Sequence, residues 1–313
     1  MRKKNIALIF GGISSERAVS LNSGKQVAEA LDTEKYEIFK YDPATDIPRL
    51  VADAGKIDCA LVILHGPFGE DGTLQGLLDL LDIPYQCTGV LGSAMAMNKL
   101  LSKHLFERAG LTVPACRALR KGHLPDASDL ADALGLPLVV KPVDTGSSVG
   151  MTLVRHLADL PDAMDKALVH GDIAMAEAYI KGTEITCAVL GNDTLEPLPL
   201  VEIIPGKNHE FFDYTAKYEP GASLEICPAR IDPELSRKAM DAAMTAHRVL
   251  YCKGYSRTDM IIRDQDCYVL ETNTIPGMTA TSLLPKSASA AGMSFSQLLD
   301  RLIELGMASR RKR

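Results

Sequence analysis

The sequence has no excess of positive charge, no paired cysteine motif and no long apolar run, and each absence removes a class of function. Lys and Arg total 34 against 40 Asp and Glu, a net charge of −6. Bulk charge therefore gives the chain no hold on a large polyanion such as nucleic acid. The one dense basic run, Arg310-Arg311-Lys312-Arg313, stands at the end of the chain, where a solvated tail is the simpler reading. Seven cysteines, at 59, 87, 116, 187, 227, 252 and 267, are odd in number and scattered, with no Cys-x-x-Cys among them. That excludes a zinc knuckle and fits reduced thiols in a reducing compartment. Met1-Arg-Lys-Lys-Asn-Ile-Ala-Leu-Ile-Phe10 has a basic head but only five apolar residues before Gly11-Gly12, too short for a secretory signal. No later stretch approaches the ~20 apolar residues that span a bilayer. The expectation is a cytoplasmic, unanchored protein with no membrane or nucleic-acid partner. Gly-x-Gly-x-x-Gly is missing after the first apolar run, and no Gly-Lys-Ser/Thr closes a glycine-rich loop, so neither a dehydrogenase nor a P-loop enzyme has its fingerprint here.

What is present is an ordinary globular composition. The 313 residues are 46% hydrophobic and 24% charged, enough for two or three domains at roughly 100–200 residues each. Ile6-Ala-Leu-Ile-Phe10 reads as a buried parallel strand stopped by Gly11-Gly12. Helical spacing from Ser20 to Leu31, a second apolar strand from Ile57 to Leu64, helical spacing again between Gly72 and Leu81, and a short strand at Ile83–Tyr85 make a small doubly wound unit ending near residue 88. Beyond it, Ser93 to Ala109 reads as one long helix. Leu136–Lys141 is a strand running into a Gly/Ser loop, and Met175–Val189 alternates strand, turn and strand. A polar, aromatic-bearing loop (205–222), a helix near 233–251, a hairpin at 256–273 and a closing helix at Leu298–Leu305 follow. The domain boundaries so drawn are 1–88, 89–176 and 177–313.

The hairpin carries the densest chemistry. Asp264-Gln265-Asp266 is a turn between two runs of strand-forming residues. With the turn centred on Gln265, Asp259 falls directly across from Glu271. Residues two apart on a strand share a face, so Arg257 and Asn273 project to the same side. Two carboxylates facing each other repel unless a cation lies between them, and an Asp, Glu and Asn set without Cys or His favours a hard ion, Mg²⁺ before Mn²⁺. A solvent-facing polar stripe on an antiparallel sheet fits the same pattern. Pro276-Gly277-Met278, just beyond, is a turn able to offer backbone N–H groups beside that site.

Anion-binding signals come earlier. In Asp144-Thr-Gly146-Ser147-Ser148-Val149-Gly150 the two glycines let successive N–H groups and the serine hydroxyls surround an anion, although a plain hairpin turn reads the same way. Lys141 at the strand end and Lys99 in the preceding helix are each weak signals alone. Their order along the chain is the stronger argument.

In that order the residues resemble the D-alanine–D-alanine ligases of the ATP-grasp superfamily, from about residue 6 to about 306. The stretches that carry the likeness are Gly11–Gly24 with Glu16, His65-Gly-Pro-Phe-Gly-Glu70-Asp-Gly72, Asn98-Lys99, Val140-Lys141-Pro142, Gly146–Met151, Asp213–Tyr218 with Lys217, Arg257-Thr-Asp259, Glu271–Met278 and Ser282-Leu283. The resemblance implies three α/β domains: an N-terminal doubly wound (Rossmann-like) domain that binds substrate, and two that grip ATP between them. It implies that Asp259, Glu271 and Asn273 hold two Mg²⁺ (or Mn²⁺), Glu271 bridging them. Lys99, Lys141 and Lys217 would contact the ATP phosphates, under a loop of Ser147, Ser148 and Val149. Glu177, Ala178, Tyr179 and Ile180 would form the adenine hinge, with Glu184 at the ribose. Glu16 would take the ammonium of the first D-alanine in a network with Ser147 and Tyr218, with His65 beside the substrate. Ser282 and the Leu283 backbone would take the carboxylate of the second D-alanine, near Asn273. Where many relatives carry lysine beside the hinge, this chain has Ala178. Tyr218 favours the dipeptide over a D-alanyl ester. Relatives suggest a homodimer.

The implied reaction converts a carboxylate, a poor acylating agent, to an acyl phosphate that a second D-alanine attacks through its neutral amine, supplying precursor for the peptidoglycan cell wall. Arg257 and the Gly277 N–H would stabilise the tetrahedral oxyanion, and no nucleophilic side chain is needed. The acyl phosphate must be shielded from water, so the loops at 144–150 and 205–222 are expected to act as lids. The competing readings are a ligase that forms an ester or uses another D-amino acid, and a nucleotide-binding module without catalysis.

Overall fold

The computed structural model describes residues 2–146, 149–206 and 223–309. The chain opens with strand β1 (Lys4–Phe10), helix α1 (Arg17–Ala30), β2 (Tyr36–Tyr41), α2 (Ile47–Asp53), β3 (Cys59–Ile63) and α3 (Thr73–Leu80). The strands form a parallel sheet in the order β2-β1-β3, with Tyr85 adding a parallel bridge to Ala60. Ile6 to Ile9 and all of β3 are fully buried. Unbroken apolar runs of this kind are what a parallel sheet covered on both faces requires. The strand β2 interleaves polar residues, Tyr-Glu-Ile-Phe-Lys-Tyr, as an edge strand does, which is why it has no comparable apolar signal.

Next come α4 (Val90–Met97), α5 (Lys99–Arg108), β4 (Cys116–Arg120), α6 (Ala127–Leu134), β5 (Leu138–Pro142), β6 (Thr152–Val154), α7 (Leu160–Leu168) and β7 (Ile173–Ala178). The four strands make an antiparallel sheet, β4-β7-β5-β6, with Leu130, Leu160, Ala163 and Ala167 of the helices packed against it. The single helix expected over Ser93–Ala109 is in fact two. Asn98 adopts an extended conformation, and its side-chain oxygen accepts the Leu101 N–H at 2.9 Å, capping a new helix. An Asn at an N-cap satisfies a donor that the first turn would otherwise leave open. The break makes Lys99 the first residue of α5, where its own N–H bonds to the Val143 carbonyl at 2.9 Å.

The third sheet contains β8 (Thr183–Leu190), β9 (Glu196–Pro197), β10 (Val201–Pro205), β11 (Ser223–Ile226), β12 (Tyr255–Arg263) and β13 (Asp266–Asn273), in the order β11-β10-β8-β12-β13 with β9 on β8. Helix α8 (Pro233–Val249) covers one face through Ala239, Ala243 and Ala246. After α9 (Leu283–Ala290), α10 (Phe295–Ala308) returns to the first sheet and inserts Leu298, Leu299, Leu302 and Ile303 into its core. All seven cysteines are free thiols. Among the described residues no helix is long and apolar enough to cross a membrane.

His247, on the buried face of α8, bonds Ser256 Oγ through Nδ1 at 2.8 Å. Burial, with Arg248 nearby, lowers its pKa to about 4. The unfolded chain therefore binds a proton between pH 6.5 and about 4 that the folded one does not, so this contribution is complete above pH 6.5 and is lost as pH falls. Chemical denaturation should show wild type losing up to ~3 kcal/mol more than His247→Gln between pH 7 and pH 4. Parallel pH dependences in the two proteins would refute this.

Candidate active site

The register of the β12–β13 hairpin fixes the chemistry of its inner face. Arg263 pairs with Asp266, so the turn is the two residues Asp264-Gln265, with Asp264 in the left-handed region at φ 56, and is not centred on Gln265. That turn alone would set Leu270 opposite Asp259 and send Glu271 to the other face, under α8. A β-bulge between Asp259 and Met260 absorbs one residue, and beyond it Asp259 pairs with Glu271 and Arg257 with Asn273. The expected pairing holds, but a bulge produces it. Leu270 and Glu271, consecutive in sequence, consequently line the same cavity.

Asp259 is nearly buried. Its Oδ1 accepts from Arg257 Nε at 2.8 Å and Thr186 Oγ1 at 2.6 Å, and its Oδ2 from the other end of the guanidinium at 2.8 Å and Asn273 Nδ2 at 3.1 Å. Thr186 stands on β8 directly beside Asp259 in the ladder. Among the described residues no three His, Cys, Asp or Glu side chains gather as a metal site; the oxygen set here is two carboxylates and one amide.

A cleft of about 920 Å³ separates this face from the four-stranded sheet. Lys141 and Glu177 reach into it from β5 and β7, and Glu184, Asp259 and Glu271 from the third sheet. Lys99 Nζ donates to the Thr145 carbonyl at 2.6 Å and lies 3.5 Å from Glu271. Lys141 Nζ is 2.6 Å from Glu177 Oε2. Ala178, Tyr179 and Ile180 continue the wall between the two sheets, with the Ala178 and Tyr179 N–H groups bonded to Ala115 and Pro137 carbonyls at 2.8 and 3.3 Å. Val149 also lines the cleft.

A second cavity, about 370 Å³, adjoins the first through shared walls at Lys99 and Glu271 and reaches Glu70, Gly146 and Asn273. Beyond it lies Glu16, the N-cap residue of α1, which is almost wholly buried. Its N–H bonds Ser14 Oγ at 3.2 Å, and the same hydroxyl donates to the His65 carbonyl at 2.7 Å, tying the two motif loops together. Gly66 has φ +71, and a Cβ there would sit 2.7 Å from Glu16 Oε2, so only glycine leaves the carboxylate its place. The Gly146 backbone approaches the same carboxylate. Burial lowers the pKa of His65, against the pull of Glu16. Glu70 accepts the Gly66 N–H at 2.6 Å; burial and then Glu16 push its carboxyl up to about 8. Ser282 is the N-cap residue of α9, and its Oγ holds the turn after β13 by accepting from Thr279 N at 3.1 Å; a Cβ added at Gly277 would lie 3.1 Å from that oxygen. Leu283 begins that helix, buried.

Ser147, Ser148, Lys217 and Tyr218 lie outside the described residues. Lys99, Lys141, Val149, Glu177 to Ile180, Glu184, Asp259, Glu271 and Asn273 line the two joined cavities, Arg257 bonds Asp259, and Glu16 and His65 are tied through Ser14, whereas Gly277, Ser282 and Leu283 line neither cavity. Sequence reasoning passed over Thr186, Glu70 as an individual residue, and Lys103. Thr186 is found by its ladder position next to Asp259; Lys103 has only its place four residues after Lys99, on a helix face that otherwise reads as core.

Residues 5–46 and 40–88 match the family model described as D-ala D-ala ligase N-terminus, and residues 105–304 the one described as D-ala D-ala ligase C-terminus. The chain is 57% identical over 305 residues to the D-alanine–D-alanine ligase of Syntrophobacter fumaroxidans, covering 97% of this chain and 98% of that protein. It is 53% identical to the enzyme of the same name from Desulfotalea psychrophila, covering 96% and 94%. Among solved structures, D-alanine–D-alanine ligase from Bacillus anthracis complexed with ATP superposes with a TM-score of 0.86 at 36% identity, covering 98% of each chain.

Proposed function

The chain belongs to the D-alanine–D-alanine ligase family and joins two D-alanines at the expense of ATP for cell-wall synthesis, and we propose that the two joined cavities divide that work, nucleotide in the larger and amino acids toward Glu16. The observation that carries this division is Glu271, which lines both cavities. Lys99, Lys141 and Lys217 meet the phosphates under the loop of Ser147, Ser148 and Val149. Glu177 to Ile180 hold the base, and Glu184 the ribose. Glu16 takes the ammonium of the first D-alanine with Ser147, Tyr218 and His65 around it, and Ser282 with the Leu283 backbone takes the carboxylate of the second. Arg257 and the Gly277 N–H stabilise the oxyanion, where a single donor is typically worth ~3–4 kcal/mol. The segments 1–88, 89–176 and 177–313 act as substrate domain and two nucleotide-gripping domains, in a cytoplasmic homodimer.

Asp259, Glu271 and Asn273 offer oxygen donors only, which suits Mg²⁺ or Mn²⁺. They would hold two ions, whose chemistry when bound is to offset charge on the transferred phosphoryl group. Both Asp259 oxygens already accept two hydrogen bonds, so holding an ion there requires Arg257, Asn273 or Thr186 to release one. The loops at 144–150 and 205–222 exclude water as lids over the nucleotide.

Purified protein with ATP, Mg²⁺ and D-alanine should release phosphate and yield D-alanyl-D-alanine. Absence of D-alanine-dependent phosphate release would sink the reading. With D-alanine and D-lactate supplied together, the depsipeptide should be the minor product; its dominance would favour the ester-forming alternative.

A further inference from the structure

Beneath the cleft lies a buried lysine that the roles above leave unused. Lys103 stands one helical turn beyond Lys99 on α5, with its side chain fully buried. Its ammonium meets Glu177 Oε1 from below, while Lys141 meets Oε2 from the cleft side at 2.6 Å. The carboxylate is itself buried. Three charged groups therefore share one dry site, two positive and one negative.

Burying an ammonium is costly, and a residue needed only to fill space there would be apolar. Burial lowers the Lys103 pKa, which Glu177 opposes. For Lys141 burial also acts downward, but Glu177 and then Glu271 outweigh it and its pKa rises. The bare Lys141–Glu177 pair would be neutral, and a neutral pair on the cleft wall has little attraction for a polyphosphate. With Lys103 present, the cluster keeps one net positive charge behind the stretch of cleft wall that Lys141 and Glu177 form.

We propose that Lys103 is a positioning residue that neutralises Glu177 from beneath, so that the charge of Lys141 remains available to the nucleotide's phosphates. This rests on the reading that the cleft takes ATP. Lys103 touches neither the nucleotide nor the amino acids.

The test is calorimetric binding of ATP with Mg²⁺ and, separately, of adenosine, to the full-length protein. Lys103→Met should weaken ATP at least about tenfold and leave adenosine within about twofold. Lys103→Arg, which keeps the charge, should hold ATP binding within about threefold of wild type. A merely structural lysine would give equal losses for ATP and adenosine in Lys103→Met, and that result overturns the proposal. Should Lys103→Met not fold, Lys103→Gln, which keeps a hydrogen-bond donor toward Glu177 but no charge, decides: ATP binding within about twofold of wild type refutes the proposal. If wild type itself binds ATP no better than adenosine, the nucleotide reading fails, and that outcome is distinct from unchanged ATP binding in Lys103→Met, which refutes the lysine's role alone.

Discussion

Glu271→Gln is expected to lower D-alanine-dependent phosphate release by about 10³-fold or more while leaving the protein folded. The amide matches the carboxylate in size, so packing is kept and only the charge goes. Glu271 is part-exposed, opposite Asp259 across the ladder and 3.5 Å from Lys99, in the wall shared by both cavities. Under the proposed division of the two cavities, a group there would meet nucleotide, cation and amino acid together. Removing an anionic ligand from a site that must hold divalent ions against a phosphoryl group forfeits several kcal/mol of transition-state stabilisation, and about 4 kcal/mol corresponds to 10³ in rate. Phosphate release measured across a Mg²⁺ titration, with denaturation as the control for folding, decides the matter. A loss smaller than tenfold at saturating Mg²⁺ would remove Glu271 from the reaction. A protein that bound nucleotide without catalysis would have no D-alanine-dependent turnover to lose.

Gly254→Ala should destabilise the protein by more than about 4 kcal/mol, or prevent it from folding at all. Gly254 precedes β12 in the left-handed region at φ +71, and a Cβ there would lie 1.7 Å from the Gln86 carbonyl oxygen. The conformation alone costs an L-residue about 1–2 kcal/mol, and the overlap is with backbone that cannot rotate away. Gln86 is itself pinned, its amide bonded to both the N–H and the carbonyl of Val62 at 2.9 and 2.7 Å. Gly254 donates to Asn192 Oδ1 at 2.9 Å and accepts the Gly191 N–H at the same distance. Neither neighbour can yield without opening the junction between the first sheet and the strand that carries Arg257 and Asp259. Gly55→Ala, where a Cβ meets nothing within 4 Å, is the control and should stay within about 0.5 kcal/mol of wild type. A Gly254→Ala variant within 1 kcal/mol of wild type in urea unfolding would show that the junction is softer than its geometry implies.

Much of the site was legible because its elements are local. The run Ile6–Phe10 and the run Ile57–Leu64 announce parallel strands by composition. The period of two puts Arg257 with Asp259 on one face of β12 and Glu271 with Asn273 on one face of β13, and the ordered motifs from Gly11 to Leu283 identify the family. The break at Asn98 could also have been read, since an Asn before Lys-Leu-Leu is a serviceable cap; the Ala, Leu and Met richness on both sides hid it.

Other features could not be read from local pattern. The pairing of Asp259 with Glu271 depends on a bulge, because the turn itself is one residue shorter than the symmetric one that gives the same pair. Periodicity has no term for a residue that drops out of the ladder. Likewise nothing near Gly146 in the chain says that it approaches Glu16, and nothing near Lys103 says that its partner is Glu177.

The sequence by itself determined which chemistry was available: a set of carboxylates, lysines and one arginine in a fixed order, on strands and helices whose apolar spacing is a short-range property. Tertiary structure alone decided which of those charges meet. Desolvation and Coulomb energy depend on distance in space, and the distances from Lys103 to Glu177, from Glu16 to Gly146 and from Lys99 to Glu271 are set by how three sheets and a returning C-terminal helix pack together.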